Sequence, residues 1–134
     1  MTRITFIIGF FTICYLSSCE KKQTSSIDSR VFVSITIADS VQLKGVDIQW
    51  TDGMTALTAL QCAATVETHP VGKHVFVTAI DTIKGRRGLM AWYYKVNGKN
   101  ADKLAMSNTI NPNDTITWIY TKDICSATVD CKKR

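Results

Sequence analysis

The sequence predicts an α+β domain of the grasp type, in which a mixed β-sheet of about five strands is crossed by one helix in the order β-β-α-β-β-β. Three observations carry that expectation. Period-two alternation recurs in "RVFVSITIAD", "HVFVTAID" and "TITWIYT"; a single stretch, "TDGMTALTALQCAATVE", switches to helical spacing; and turn-forming residues separate the runs. With 134 residues the chain holds one domain at most, around one modest core.

Val31, Val33, Ile35 and Ile37 share one face of the first strand, and Phe32, Ser34, Thr36 and Ala38 share the other. Asp39-Ser40 and Gly45 offer turn chemistry for a hairpin into "KGVDIQW", which alternates through Val46, Ile48 and Trp50. Leu57, Leu60 and Ala64, beside Ala56 and Ala63, then fit a helix of about three turns, with Thr55 or Asp52 to cap its free amides. A loop holding His69-Pro70 and Gly72 follows. "HVFVTAID" reads as a central strand, because Val75, Val77 and Ala79 on one side and Phe76 and Ile80 on the other make both faces apolar. Gly85-Arg86-Arg87-Gly88 marks a basic turn into "LMAWYYKV", with Trp92, Tyr94 and Val96 on one face and Ala91, Tyr93 and Lys95 on the other. Asn97-Gly98 ends that strand as a turn needing positive φ at both positions, and Asn111-Pro112-Asn113-Asp114 opens the last one, through Ile116, Trp118 and Tyr120.

The N-terminus has one basic residue, Arg3, and then an apolar run from Ile4 to Leu16, too short to span a bilayer as a helix. Leu16-Ser17-Ser18-Cys19 resembles the lipobox of bacterial lipoproteins. That resemblance implies a signal peptide over 1–18 and lipidation of Cys19, with attachment to a membrane through several acyl chains. Glu20, in place of aspartate after the cysteine, points to the outer membrane, facing the periplasm or the cell surface. Residues 19–29 then form a polar tether, 30–123 the domain, and 124–134 a basic tail.

Removing residues 1–18 takes one of the 16 basic residues and none of the 11 acidic ones, leaving a net charge of +4. From 30 to 123 there are 10 basic and 8 acidic residues, so the excess sits at the ends, and nucleic-acid binding is not expected. Cys62, Cys125 and Cys131 would meet an oxidising compartment, where three thiols allow one disulfide. Cys125–Cys131 is favoured, and pairing of Cys62 with either is the alternative. No Cys/His spacing completes a zinc site, and no nucleophile motif, acid pair or phosphate loop suggests an enzyme.

"DGMTALTALQ", "GKHVFVTAID", "AWYYKVNGKNA" and "NPNDTITWIY", in this order and spacing, resemble the successive blocks of the transcobalamin-like C-terminal domain family, of the DUF4430 type, which is also the β-domain of transcobalamin and intrinsic factor. The likeness covers about residues 30 to 122. It implies a non-catalytic domain that holds ligands, and in the vertebrate carriers closes over one side of cobalamin. Carried over by position, the contacts would come from the aromatic strand, Trp92, Tyr93 and Tyr94, and from the loop after it, Asp102, Lys103, Leu104, Ala105, Met106, Ser107 and Asn108. Leu104 stands where many members have glycine.

Cobalamin is a broad, partly apolar macrocycle rimmed by amides. Leu104, Ala105 and Met106 suit its flat surface, while Ser107, Asn108 and backbone groups suit its rim. Core packing over the helix is the expected fate of Trp92 and Tyr94, which leaves Tyr93, on the opposite face, as the better candidate for a ligand or partner surface, while Leu104 and Met106 serve equally well tucked under the sheet as core. The expected function is a membrane-anchored lipoprotein that binds cobalamin or another corrinoid for uptake and requires no cofactor. Its partners would be an outer-membrane transporter or a second binding protein that supplies the missing half of the site. The alternative is a surface module of the same fold that binds a protein or a glycan.

Overall fold

The computed structural model describes residues 28–124. Its first strand, β1 (Arg30–Ile37), buries Val31, Val33 and Ile35 as the alternation predicts. It pairs antiparallel with β2 (Val41–Gln49), which sets Val46 opposite Val33 and Ile48 opposite Val31. The turn between them is made by Ala38 and Asp39, both at positive φ, with the Ser40 amide donating to Ile37 at 3.1 Å. Gly45 is not part of that turn. It lies inside β2 opposite Ser34, where a side chain would strike the ring of Phe32. A register shift after Ile35 leaves Leu43 out of the ladder, a bulge that twists this outer strand.

One helix, α1 (Ala56–Ala63), crosses the sheet and buries Ala56, Ala59, Leu60 and Ala63. Thr55 is its cap: its hydroxyl accepts from the Thr58 amide while the Thr58 hydroxyl accepts from the Thr55 amide. The helix has eight residues, about two turns rather than three. It stops because Thr65 leaves for a strand, its amide held by the Asp81 carboxylate at 3.0 Å and its carbonyl by the Asp81 amide at 2.7 Å.

The stretch around His69-Pro70 is a strand and not a loop. β3 (Val66–Val71) forms a hairpin with β4 (His74–Ile80), and β5 (Ile83–Lys84) adds a short third member. Val71 and His74 flank a two-residue turn, so Pro70 opposes Val75 at a position where no ladder hydrogen bond is required of its missing N–H. β4 is therefore central, but in this separate three-stranded sheet. Its inner end is buried at Ala79 and Ile80, whereas Phe76 is 43% exposed.

The main sheet has five strands in the order β2-β1-β8-β6-β7, with β6 (Met90–Val96), β7 (Lys99–Asn100) and β8 (Thr115–Lys122). It is mixed, since β1 and β8 run parallel while the other pairs are antiparallel. The grasp-like α+β class and the β-β-α-β-β-β order hold, with β4, expected as a central strand of the one sheet, lying instead in the small sheet. Both sheets feed one core, because Ile80, Val66, Val77 and Ile83 of the small sheet pack with Val33, Leu60, Trp92 and Trp118. The Trp92 indole donates to the Ile83 carbonyl at 3.1 Å and the Tyr120 hydroxyl to the Lys84 carbonyl at 2.9 Å, which pins β5 to the main sheet.

Candidate ligand-binding cleft

β6 is the axis of the site. Trp92 is buried, with its ring 5.1 Å from that of Tyr120, and Tyr94 stacks on Trp118 at 5.0 Å and 24°. Tyr93 points to the other face, where its hydroxyl meets the Asp123 carboxylate at 3.3 Å. The same carboxylate, 4% exposed, accepts the Gly88 amide at 2.8 Å and so holds the basic Arg86–Leu89 turn.

The segment after β7 is organised by the helix. The Ala105 and Asn108 carbonyls accept the Leu57 and Ala56 amides at 3.1 and 3.0 Å, groups that no helical turn precedes and that need outside partners. Ile110 and Met54 pair beside them, and Thr55 and Thr109 form an isolated bridge. Tyr94 fastens the near end: its hydroxyl donates to the Lys103 carbonyl at 2.5 Å and accepts from the Asn108 side chain at 3.1 Å. Burial, with a smaller push from the Asp102 charge, raises the Tyr94 phenol above its ordinary pKa against the opposing hydrogen bond from Asn108.

Between β4, β6 and this segment lies a cleft of about 490 Å³, within the ~300–1,000 Å³ common for small-molecule sites. Val75, Phe76 and Val77 form one wall, Ala91, Trp92, Tyr93 and Tyr94 the opposite one, and Ala101 to Ala105 the end, with Trp118 and Asp123 completing the lining. The walls are mainly apolar, and Asp102, Lys103 and Asp123 supply mixed charge. The Trp118 indole N–H, in a side chain 2% exposed, has no hydrogen-bond partner among the described residues.

Seven residues proposed from sequence come together on this cleft: Trp92, Tyr93, Tyr94, Asp102, Lys103, Leu104 and Ala105. Three do not line it. Met106 turns its sulfur to the Val75 amide at 3.2 Å, Asn108 is engaged by Tyr94 and the helix, and Ser107 is exposed with its amide on the Leu104 carbonyl. Sequence reading missed Val75, Phe76 and Val77. Phe76, read as a core residue, could have been suspected from its polar flanks, since His74 and Thr78 share its side of the strand.

His69 is exposed on β3 opposite Phe76, on the small sheet. Cys62 is a free, exposed thiol on the helix. Cys19, Cys125 and Cys131, and with them the lipidation site and the favoured disulfide, lie outside the described residues, as do the signal peptide and most of the tether and tail. Among the described residues no three His, Cys, Asp or Glu side chains are grouped to hold a metal ion, and no helix is long and apolar enough to cross a membrane.

A family model described as "Domain of unknown function (DUF4430)" matches residues 53–122. No curated protein matches the chain by sequence. Among solved structures, a candidate metal binding protein from Ruminococcus gnavus ATCC 29149 superposes with a TM-score of 0.61 at 14% identity, covering 71% of this chain and 98% of that one. Haptocorrin in complex with Cbi superposes with a TM-score of 0.56 at 13% identity, over 73% of this chain but only 26% of that one. At these identities the likeness is one of fold.

Proposed function

The chain belongs to the DUF4430 family, and from that premise we propose that it is a non-catalytic binding module whose cleft takes a corrinoid such as cobalamin. The observation that carries this reading is the convergence of the aromatic strand and the segment after it on one cleft of about 490 Å³. Haptocorrin, whose structure shares this fold, was crystallised with the corrinoid Cbi. Apolar walls with a few polar groups suit part of a macrocycle, and the cleft is too small to enclose a whole corrinoid. This chain spans only about a quarter of haptocorrin, so a second protein, such as an outer-membrane transporter, would cover the exposed side of the guest.

Titration of the purified protein with cyanocobalamin, followed by co-elution of the red ligand on gel filtration, tests the reading. Retention is expected, with Tyr93→Ala and Phe76→Ala each weakening affinity by about fivefold or more, equivalent to roughly 1 kcal/mol of lost contact. No retention at high micromolar ligand would overturn it.

We further propose that the module is held on the outer membrane by lipid on Cys19, a reading that rests on the lipobox-like Leu16-Ser17-Ser18-Cys19. Metabolic labelling with palmitate should mark the wild-type chain and not Cys19→Ser. A labelled Cys19→Ser chain, or an unlabelled wild type in a lipoprotein-producing host, would sink that part.

A further inference from the structure

The chain has two histidines, His69 and His74, and the register of one hairpin brings them together. β3 and β4 pair without a shift from Thr68 and Val77 to the turn, which sets His69 opposite Phe76 and Val71 opposite His74. Residues directly across an antiparallel ladder project to the same face, and so do residues two apart along a strand. His69, Val71, His74 and Phe76 therefore share one face of the hairpin, while Val77, on the other, packs against the core. All four of these residues are exposed.

His69 and His74 stand on a diagonal of that face. Diagonal neighbours of an antiparallel pair lie about 7–8 Å apart, with their β-carbons closer. This diagonal joins the residue farther from the turn on the first strand to the residue nearer the turn on the second, and the right-handed twist of a hairpin shortens it. Two imidazoles so placed can direct one nitrogen each at a single ion, at the ~2.0–2.1 Å of a metal–nitrogen bond. Neither imidazole has a hydrogen-bond or ion-pair partner among the described residues, so no bond must break first. The one carboxylate on these two strands, Glu67, is engaged by Lys84 at 3.1 Å.

We infer that His69 and His74 form a two-imidazole site for a divalent transition-metal ion of the zinc or nickel class, with water in the remaining positions. Magnesium, which takes oxygen ligands, does not suit it. An ion held there ties β3 to β4 next to their turn. The tie matters because β3 is exposed along almost its whole length, and a two-stranded ribbon has little stability of its own. The site lies beside Phe76, a wall of the cleft, but does not rest on what the cleft binds.

The test is titration of the untagged full chain with nickel, zinc and magnesium chlorides at about pH 7.5, where imidazole is neutral, followed by amide and imidazole nuclear magnetic resonance. Substoichiometric nickel, being paramagnetic, should broaden His69 and His74 first. Zinc should shift the same resonances, and magnesium should leave them unmoved. His69→Ala and His74→Ala should each weaken zinc binding by about tenfold or more, because a single imidazole loses the chelate. Both positions are exposed, so the denaturation midpoint of either metal-free variant should stay close to that of the wild type. Zinc should also raise that midpoint in the wild type and in neither variant. No binding at millimolar nickel, broadening centred on Cys62, equal shifts with magnesium, or unchanged affinity in either variant would each overturn the inference.

Discussion

A β-carbon on Gly45 would meet the Phe32 ring at 2.8 Å as well as the Gln42 side-chain amide, although the backbone there is an ordinary strand. Glycine inside a strand is usually a weakness, so alanine would be expected to help. Here the crowding decides, and Gly45→Ala should lower stability by about 1–3 kcal/mol, read as a lower urea midpoint at unchanged slope. Tyr94 gives a second expectation at this scale. Its phenol is raised above the ordinary value by burial, so the folded state keeps its proton where the unfolded chain loses it. The stability it contributes is complete below the unfolded pKa near 10 and is lost as pH rises through the folded one. Tyr94→Phe should therefore flatten the fall in stability above about pH 10, and denaturation midpoints collected across that range would show it.

At the scale of elements, the β6–β7 hairpin shows how a turn can position more than its own strands. Asn97 and Gly98 sit at φ of 51 and 78, the pair of positive values that the Asn-Gly sequence announces. Asn97 also accepts the Thr115 amide at 2.8 Å and donates to the Asp114 carboxylate at 2.7 Å, tying the hairpin to the start of β8. Asn97→Ala loses both bonds and places alanine at a strained φ, and should cost about 2–4 kcal/mol by chemical denaturation. The turn was legible because two adjacent residues encode it. The cross-tie to Thr115 was not, since 18 residues separate the partners. The same distinction explains why β3 read as a loop: Val66–Val71 contains a proline and is almost wholly exposed, so neither composition nor burial marks it as a strand without its partner β4.

For the whole molecule, one core serves both sheets and the helix, with Leu60 at 0% exposure in its midst. Leu60→Ala should destabilise by about 2–5 kcal/mol, and because the core is shared, tryptophan fluorescence and far-ultraviolet circular dichroism should still report a single coincident transition. Two separated transitions would mean that the small sheet unfolds independently. The cleft belongs to this scale as well. Its walls come from strands of different sheets and its end from the Ala101–Ala105 segment, whose position depends on Tyr94 and on the amides at the start of α1.

The sequence by itself determined the class of fold, the faces of β1, β6 and β8, a helix cap at Thr55 or Asp52, of which the structure uses Thr55, and the positive-φ turn at Asn97-Gly98, because alternation, capping and turn geometry are written in residues close together along the chain. Only the tertiary structure decided that β4 leaves the main sheet and that Met106, Ser107 and Asn108 turn away from the cleft while Phe76 lines it. Those outcomes depend on which backbone groups find partners across long separations.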